Sequence, residues 1–177
     1  MNQYFIVRVI KYENTKYRRL WLYWIQSSNL FKKKKSHFFE KGIELATKLN
    51  LKFKIFDAFR PTEAQWKLWK HTPDENFIAH PKKGSPHSRG VAIDLTLINK
   101  NNYELNMGTS FDCFSSKSFH GNIEISRDAQ KNRFILLGIM LAAGWDFYKK
   151  EWWHYQLYDS KKWPILNDKK EKTRLMC

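Results

Sequence analysis

Ser85-Pro86-His87-Ser88-Arg89-Gly90-Val91-Ala92-Ile93-Asp94-Leu95-Thr96-Leu97 runs out of a Pro/Gly/Ser-rich loop (residues 81–90) into an alternating stretch. The alternation puts Val91, Ile93, Leu95 and Leu97 on one strand face and Ala92, Asp94 and Thr96 on the other. Upstream, Leu51-Lys52-Phe53-Lys54-Ile55 alternates in the period of a half-buried strand. Pro61-Thr62-Glu63-Ala64-Gln65 reads as a helix start, with Thr62 and Gln65 spaced as a capping box. Residues 57–60 therefore sit at a strand-to-helix junction. Earlier still, Phe38, Phe39, Ile43, Leu45, Ala46 and Leu49 recur at helical intervals, and Asn50 ends that amphipathic helix. Downstream, residues 126–143 carry Ala129, Leu136, Leu137, Met140 and Leu141 in a second long helix that Gly144 closes. Residues 152–158 read as a closing strand. Without a repeated strand-helix-strand unit, this order implies an α+β single domain, a mostly antiparallel central sheet flanked by helices.

A chain of 177 residues, 42 % hydrophobic and 16 % aromatic with only 7 Gly and 5 Pro, can fill one core and is not a disordered chain. No apolar run approaches the roughly 20 residues of a membrane span, so no membrane partner is expected. A formal charge of +15 and a pI near 9.8 raise nucleic acid or an anionic surface as partners. The basic residues are nevertheless spread along the chain, mostly as Lys, and dense only at Lys32-Lys33-Lys34-Lys35. A solvated lysine-rich surface accounts for that charge, and no nucleic-acid partner is expected. Cys113 and Cys177 lack C-x-x-C spacing and read as free thiols of a reducing compartment. The apolar Leu20-Trp21-Leu22-Tyr23-Trp24-Ile25 is short and late and lacks a small-residue cleavage site, so a cytoplasmic location is expected.

Three patches are dense in chemistry-bearing groups: Asp57-Ala58-Phe59-Arg60-Pro61, the stretch Ser85 to Asp94 quoted above, and Glu151-Trp152-Trp153-His154-Tyr155. A catalytic zinc takes three protein ligands and leaves one position for water; His87, Asp94 and His154 meet that count. Glu151, three residues before His154, would share its face only from a turn or bulge ahead of the strand. There it could take and return the proton of a metal-activated water, while Arg60 stabilises an oxyanion. Taken singly, a His beside tryptophans is more often a packed core residue, and an Asp in an apolar strand is often only hydrogen-bonded. His37, His71, His80 and His120 have no matching context and read as surface or structural residues.

Together the patches resemble the zinc D-alanyl-D-alanine dipeptidases, relatives of the zinc D,D-carboxypeptidases. S-x-H-x-x-G-x-A-x-D of the larger family reads Ser85 to Asp94 here, and Glu151-Trp152-Trp153-His154-Tyr155 is similar to the dipeptidase motif, where carboxypeptidases more often carry Pro after the Glu. Met107-Gly108-Thr109-Ser110-Phe111-Asp112 and Ala129-Gln130-Lys131-Asn132-Arg133 extend the likeness over about residues 38–158. The resemblance implies one zinc on His87, Asp94 and His154, Glu151 as base and acid, and Arg60 as transition-state stabiliser. It also implies that Asp112 holds the substrate's ammonium and that Ser85 lines the pocket. Phe59 stands where the family more often has Tyr, and residues 1–36 form an atypical leader, open to poor order, ahead of a catalytic domain at 37–177. The expected reaction is hydrolysis of D-Ala-D-Ala, a small dipeptide, in cell-wall precursor turnover. Action on longer peptidoglycan peptides and an inactive zinc-binding remnant are the alternatives.

Overall fold

A computed structural model describes residues 29–75, 78–171 and 176; most of the leader, including Leu20 to Ile25, and Cys177 lie outside the described residues. Helix α1 (Asn29–Lys48) ends where Asn50 turns left-handed at φ 56°, and the Leu51 N–H returns to the Ala46 carbonyl at 3.0 Å. Strand β1 (Lys52–Asp57) leads to α2 (Thr62–His71), a 3-10 turn at His87–Arg89, β2 (Ala92–Ile98) and α3 (Arg127–Ala143). Two short strands, β3 (Asp146–Phe147) and β4 (His154–Gln156), and a last turn of helix, α4 (Asp168–Glu171), complete the order. The strands form one antiparallel sheet in the order β1-β2-β4-β3. The α+β class and antiparallel sheet read from the sequence are what the chain adopts.

Phe39 and Ala46 of α1 and Leu136, Met140 and Ala143 of α3 pack on the Phe53, Ile55, Ile93, Leu95 and Leu97 face of the sheet. The opposite face is covered too, by loops and by Trp152 and Trp153, so every residue of β2 is buried. β1 is more buried than its alternation predicts. Lys54, 6 % exposed, bridges to Glu104 and lies 5.5 Å from the Phe56 ring centre.

Ser126 caps α3, its hydroxyl accepting from the Ala129 N–H at 3.2 Å, and Gly144 closes it at φ 101°. The capping box expected at α2 does not form. Pro61 occupies the cap and Thr62 is already helical, out of reach of the N–H groups it would cap, so its hydroxyl donates to the Leu166 carbonyl at 2.9 Å. Gln65 turns inward and is 1 % exposed. The closing strand is also shorter than the apolar run implies. Trp152 and Trp153 lie in a turn, because the Trp152 N–H is drawn to the Ser118 carbonyl at 3.1 Å. No helix among the described residues is long and apolar enough to cross a membrane.

Two local devices prepare the site. The β1–β2 register slips between Ile55 and Asp57, so that Asp57 instead of Phe56 opposes Asp94; a bulge re-aims the side chain that follows it. The segment before α4 straps the 3-10 turn, with the Leu166 N–H on the Ser88 carbonyl at 2.8 Å and Arg89 on the Trp163 carbonyl. At the far end of α3, a Cβ on Gly144 would meet the Phe38 ring at 2.9 Å on a left-handed backbone. Gly144→Ala is expected to lower the unfolding free energy by about 1–3 kcal/mol in urea titration without changing metal binding.

Candidate metal centre

Three elements converge on one point: the 3-10 turn carries His87, β2 carries Asp94 and β4 carries His154. Asp94 and His154 are direct antiparallel partners, so their side chains leave the sheet on the same face. All three side chains are buried. Asp94 Oδ1 lies 2.9 Å from His154 Nδ1 and 3.3 Å from His87 Nε2, and the two nitrogens are 3.1 Å apart. Donors about 2.0–2.1 Å from a tetrahedral ion stand about 3.3 Å from each other. The triangle matches one face of such a tetrahedron, drawn slightly inward.

The surrounding hydrogen bonds suit a cation there. His87 Nδ1 donates to the Ala58 carbonyl at 2.8 Å, which leaves Nε2 with its lone pair toward Asp94. His154 Nε2 faces the Gln156 amide oxygen at 3.2 Å, which leaves Nδ1 likewise bare. Two lone pairs and a carboxylate pointed at one spot repel unless they share positive charge. Burial pulls the His87 pKa down, but Asp94 more than offsets it and the net direction is up. Burial pushes Asp94 up, yet the two histidines hold it below the usual carboxylate range. The donor set fits a divalent metal.

Arg60, Ser85, His87, Asp94, Asp112, Glu151 and His154, the residues singled out in the sequence, all line one cavity of about 270 Å³. Arg60 Nε donates to Asp57 Oδ2 at 2.7 Å, and Nη2 reaches the same oxygen at 2.6 Å while standing 3.9 Å from Asp94 Oδ2. Glu151 occupies the turn ahead of β4, with Oε2 4.0 Å from His154 Nδ1. Burial raises its carboxyl to about 7, with His154 pulling the other way. Ser85 Oγ accepts from the His87 N–H at 3.2 Å, so it also shapes the turn that presents His87. Asp112 sits on a left-handed backbone at φ 58°.

Residues 107–118 are pinned from below. Arg133, 1 % exposed, donates to the Met107 carbonyl at 2.7 Å and the Phe119 carbonyl at 3.1 Å. The Trp152 indole N–H donates to Thr109 Oγ1 at 2.8 Å, which joins Ser118 Oγ at 3.1 Å. The Asp112 loop and the Glu151 turn thus form one bonded unit. Gln156, Gln65 and Tyr148, which also line the cavity, were not singled out for the site from the sequence. Gln156 was within reach, since the period of two along β4 puts it on the His154 face.

The D-ala-D-ala dipeptidase model of Peptidase M15 matches residues 21–173. The chain belongs to that family. A D-alanyl-D-alanine dipeptidase of Escherichia coli (strain K12) is 38 % identical over 72 % of this chain and 66 % of its own length. One from Enterococcus faecium is 35 % identical over 67 % and 68 %, and one from Streptomyces coelicolor 32 % identical over 64 % and 66 %. The chain thus spans about two thirds of the length of these relatives. Peptidase M15 enzymes are metal-dependent, in keeping with the cluster of His87, Asp94 and His154.

His120 lies beside β3, outside the cavity lining. Its backbone N–H bonds the Lys149 carbonyl at 2.9 Å, and its ring packs against Phe147 with centres 5.0 Å apart. Burial, with Arg133 adding to it, holds the ring at about 4 instead of 6.5. Between those pH values only the unfolded chain takes the proton, so stability falls as pH drops. Glu151, raised to about 7, acts oppositely over a similar range, because the folded state there keeps a proton that the unfolded state has lost. Comparison with His120→Gln isolates the histidine. The stability gap between parent and variant, read by urea unfolding, should narrow by roughly 2 kcal/mol from pH 7 to pH 4.5; a constant gap would refute the buried neutral imidazole.

Proposed function

We propose that the chain hydrolyses D-Ala-D-Ala to two D-alanines, with one zinc held by His87, Asp94 and His154. The observation that carries this reading is the common cavity, in which a buried carboxyl, a guanidinium and a second carboxylate surround the three-residue cluster. When bound, a zinc ion supplies Lewis-acid polarisation of the scissile carbonyl and makes water acidic enough to attack near neutral pH. Glu151 receives the proton of that water and delivers it to the departing amine nitrogen. Burial raises this carboxyl, and the positive charge of a bound metal would draw it back toward the carboxylate that accepts the proton. Arg60 faces the oxygen on which negative charge develops, and its two bonds to Asp57 fix it before the reaction starts. Asp112 takes the substrate's free ammonium, and Ser85 closes the wall beside His87.

Size supports a dipeptide over a longer wall peptide. A cavity of about 270 Å³ lies below the roughly 300–1,000 Å³ of sites that take drug-sized ligands. The names of the relatives, all D-alanyl-D-alanine dipeptidases, support the same substrate. A role in cell-wall precursor turnover and a cytoplasmic setting follow from that chemistry as parts of the proposal, and residues 37–177 are its catalytic domain.

Release of D-alanine from D-Ala-D-Ala by the zinc-loaded protein, with L-Ala-L-Ala beside it, is the direct test. Turnover confined to the D,D substrate is expected. Glu151→Gln should keep one zinc per chain and lose about 10²–10⁴ in kcat, whereas His154→Ala should lose zinc and turnover together. One bound zinc without hydrolysis of either dipeptide would overturn the assignment.

A further inference from the structure

Gln65 is 1 % exposed, and both ends of its amide are engaged. Nε2 donates to the Ala79 carbonyl at 2.8 Å, and Oε1 accepts from Arg60 Nη1 at 3.1 Å. Its two neighbours demand one donor and one acceptor, which an amide supplies and neither a carboxylate nor an apolar side chain can. On the opposite edge, Asp57 Oδ2 holds Arg60 Nε and Nη2. The guanidinium plane is therefore gripped from two sides, with Nη2 turned toward Asp94 at 3.9 Å. Asp57 alone would hold one edge and leave the fork free to pivot about it.

We infer that Gln65 is a positioning residue that aims the Arg60 guanidinium into the cavity, a strut between Arg60 and the Ala79 carbonyl. The inference rests on the reading of Arg60 as the group that meets developing negative charge. An interaction felt mainly in the transition state appears in kcat and spares KM. Misaiming such a group is costly because its effect depends on geometry within a fraction of an ångström.

The test combines kinetics with ¹⁵N spectra of the arginine side chains in the zinc-loaded protein. In the native protein, Arg60 should show separate Nη resonances, the mark of a guanidinium whose rotation is blocked. Gln65→Met, close in shape but without the amide, should merge them, lower kcat for D-Ala-D-Ala about tenfold or more and leave KM within about twofold. Gln65→Glu keeps the acceptor and should keep the resonances separate. In an Arg60→Lys background, Gln65→Met should cost little further activity, because the group it aims is gone.

A freely rotating Arg60 in the native protein overturns the inference. So does a folded Gln65→Met variant with unchanged kcat, with KM rising in step, or with a loss that multiplies fully onto that of Arg60→Lys. Should Gln65→Met fail to fold, the native and Gln65→Glu spectra decide. Failure of native protein to hydrolyse D-Ala-D-Ala would defeat the proposed function and leave the spectra to judge Gln65.

Discussion

A carboxylate 3 % exposed in the middle of a sheet is tolerated only when cations or donors surround it, and Asp94 sets that requirement here. The junction after β1 answers with Arg60, 3.9 Å away, and β4 and the 3-10 turn answer by setting His154 and His87 where the three side chains could share a metal cation. Each reply depends on register. A slip of one residue between β2 and β4 would send His154 to the helix-covered face, among Ile93 and Leu95, where an imidazole has no partner. The bulge at Ile55/Asp57 does the same service on the other edge, since Asp57 could not hold Arg60 from the Phe56 position. The helices α1 and α3 act at one remove, by burying the opposite face and fixing the sheet on which these registers stand.

The second layer of order is carried by polar groups that look incidental in the chain. Arg133 is a buried cation that donates to two carbonyls and lies 5.9 Å from the Trp152 ring. Burial lowers its pKa to about 10, still far above neutrality, so it remains charged and its bonds remain strong. The Trp152–Thr109–Ser118 chain then ties the Asp112 loop to the Glu151 turn. A Pro at position 152 would lack the N–H that bonds the Ser118 carbonyl. The two tryptophans thus do more than fill space, since the first joins two walls of the cavity.

Much of this was legible because its signals are local. Alternation in residues 91–97 located β2, Ser126 and Gly144 bounded α3, and the motif spacing brought His87, Asp94, Glu151 and His154 to notice. What escaped depends on partners remote in sequence. Thr62 and Gln65 have capping-box spacing, but the Leu166 and Ala79 carbonyls claimed them, and nothing near residue 62 announces either. β4 is shorter than its apolar run because Ser118 drew the Trp152 backbone out of the ladder. β3, two residues long, exists only because β4 offers an edge. Lys54 reads as a solvent-facing position, and its burial goes with the Phe56 ring and with a bridge to Glu104, a partner that nothing near residue 54 signals.

The charge of the chain and the charge of its site have opposite signs, and that contrast has mechanistic content. A surface at formal +15 would by itself repel metal ions and ammonium groups. Within the cavity, however, Asp94, Asp112 and Glu151 meet a single guanidinium that Asp57 already neutralises in part. Protein-wide repulsion between exposed charges is screened beyond about 8 Å at physiological salt, whereas buried groups feel one another nearly unscreened. The local excess of carboxylate therefore governs what enters. It suits a divalent cation at the histidines, while burial holds the Glu151 carboxyl up at about 7, with Asp94 and Asp112 adding to that rise and His154 and Arg60 opposing it.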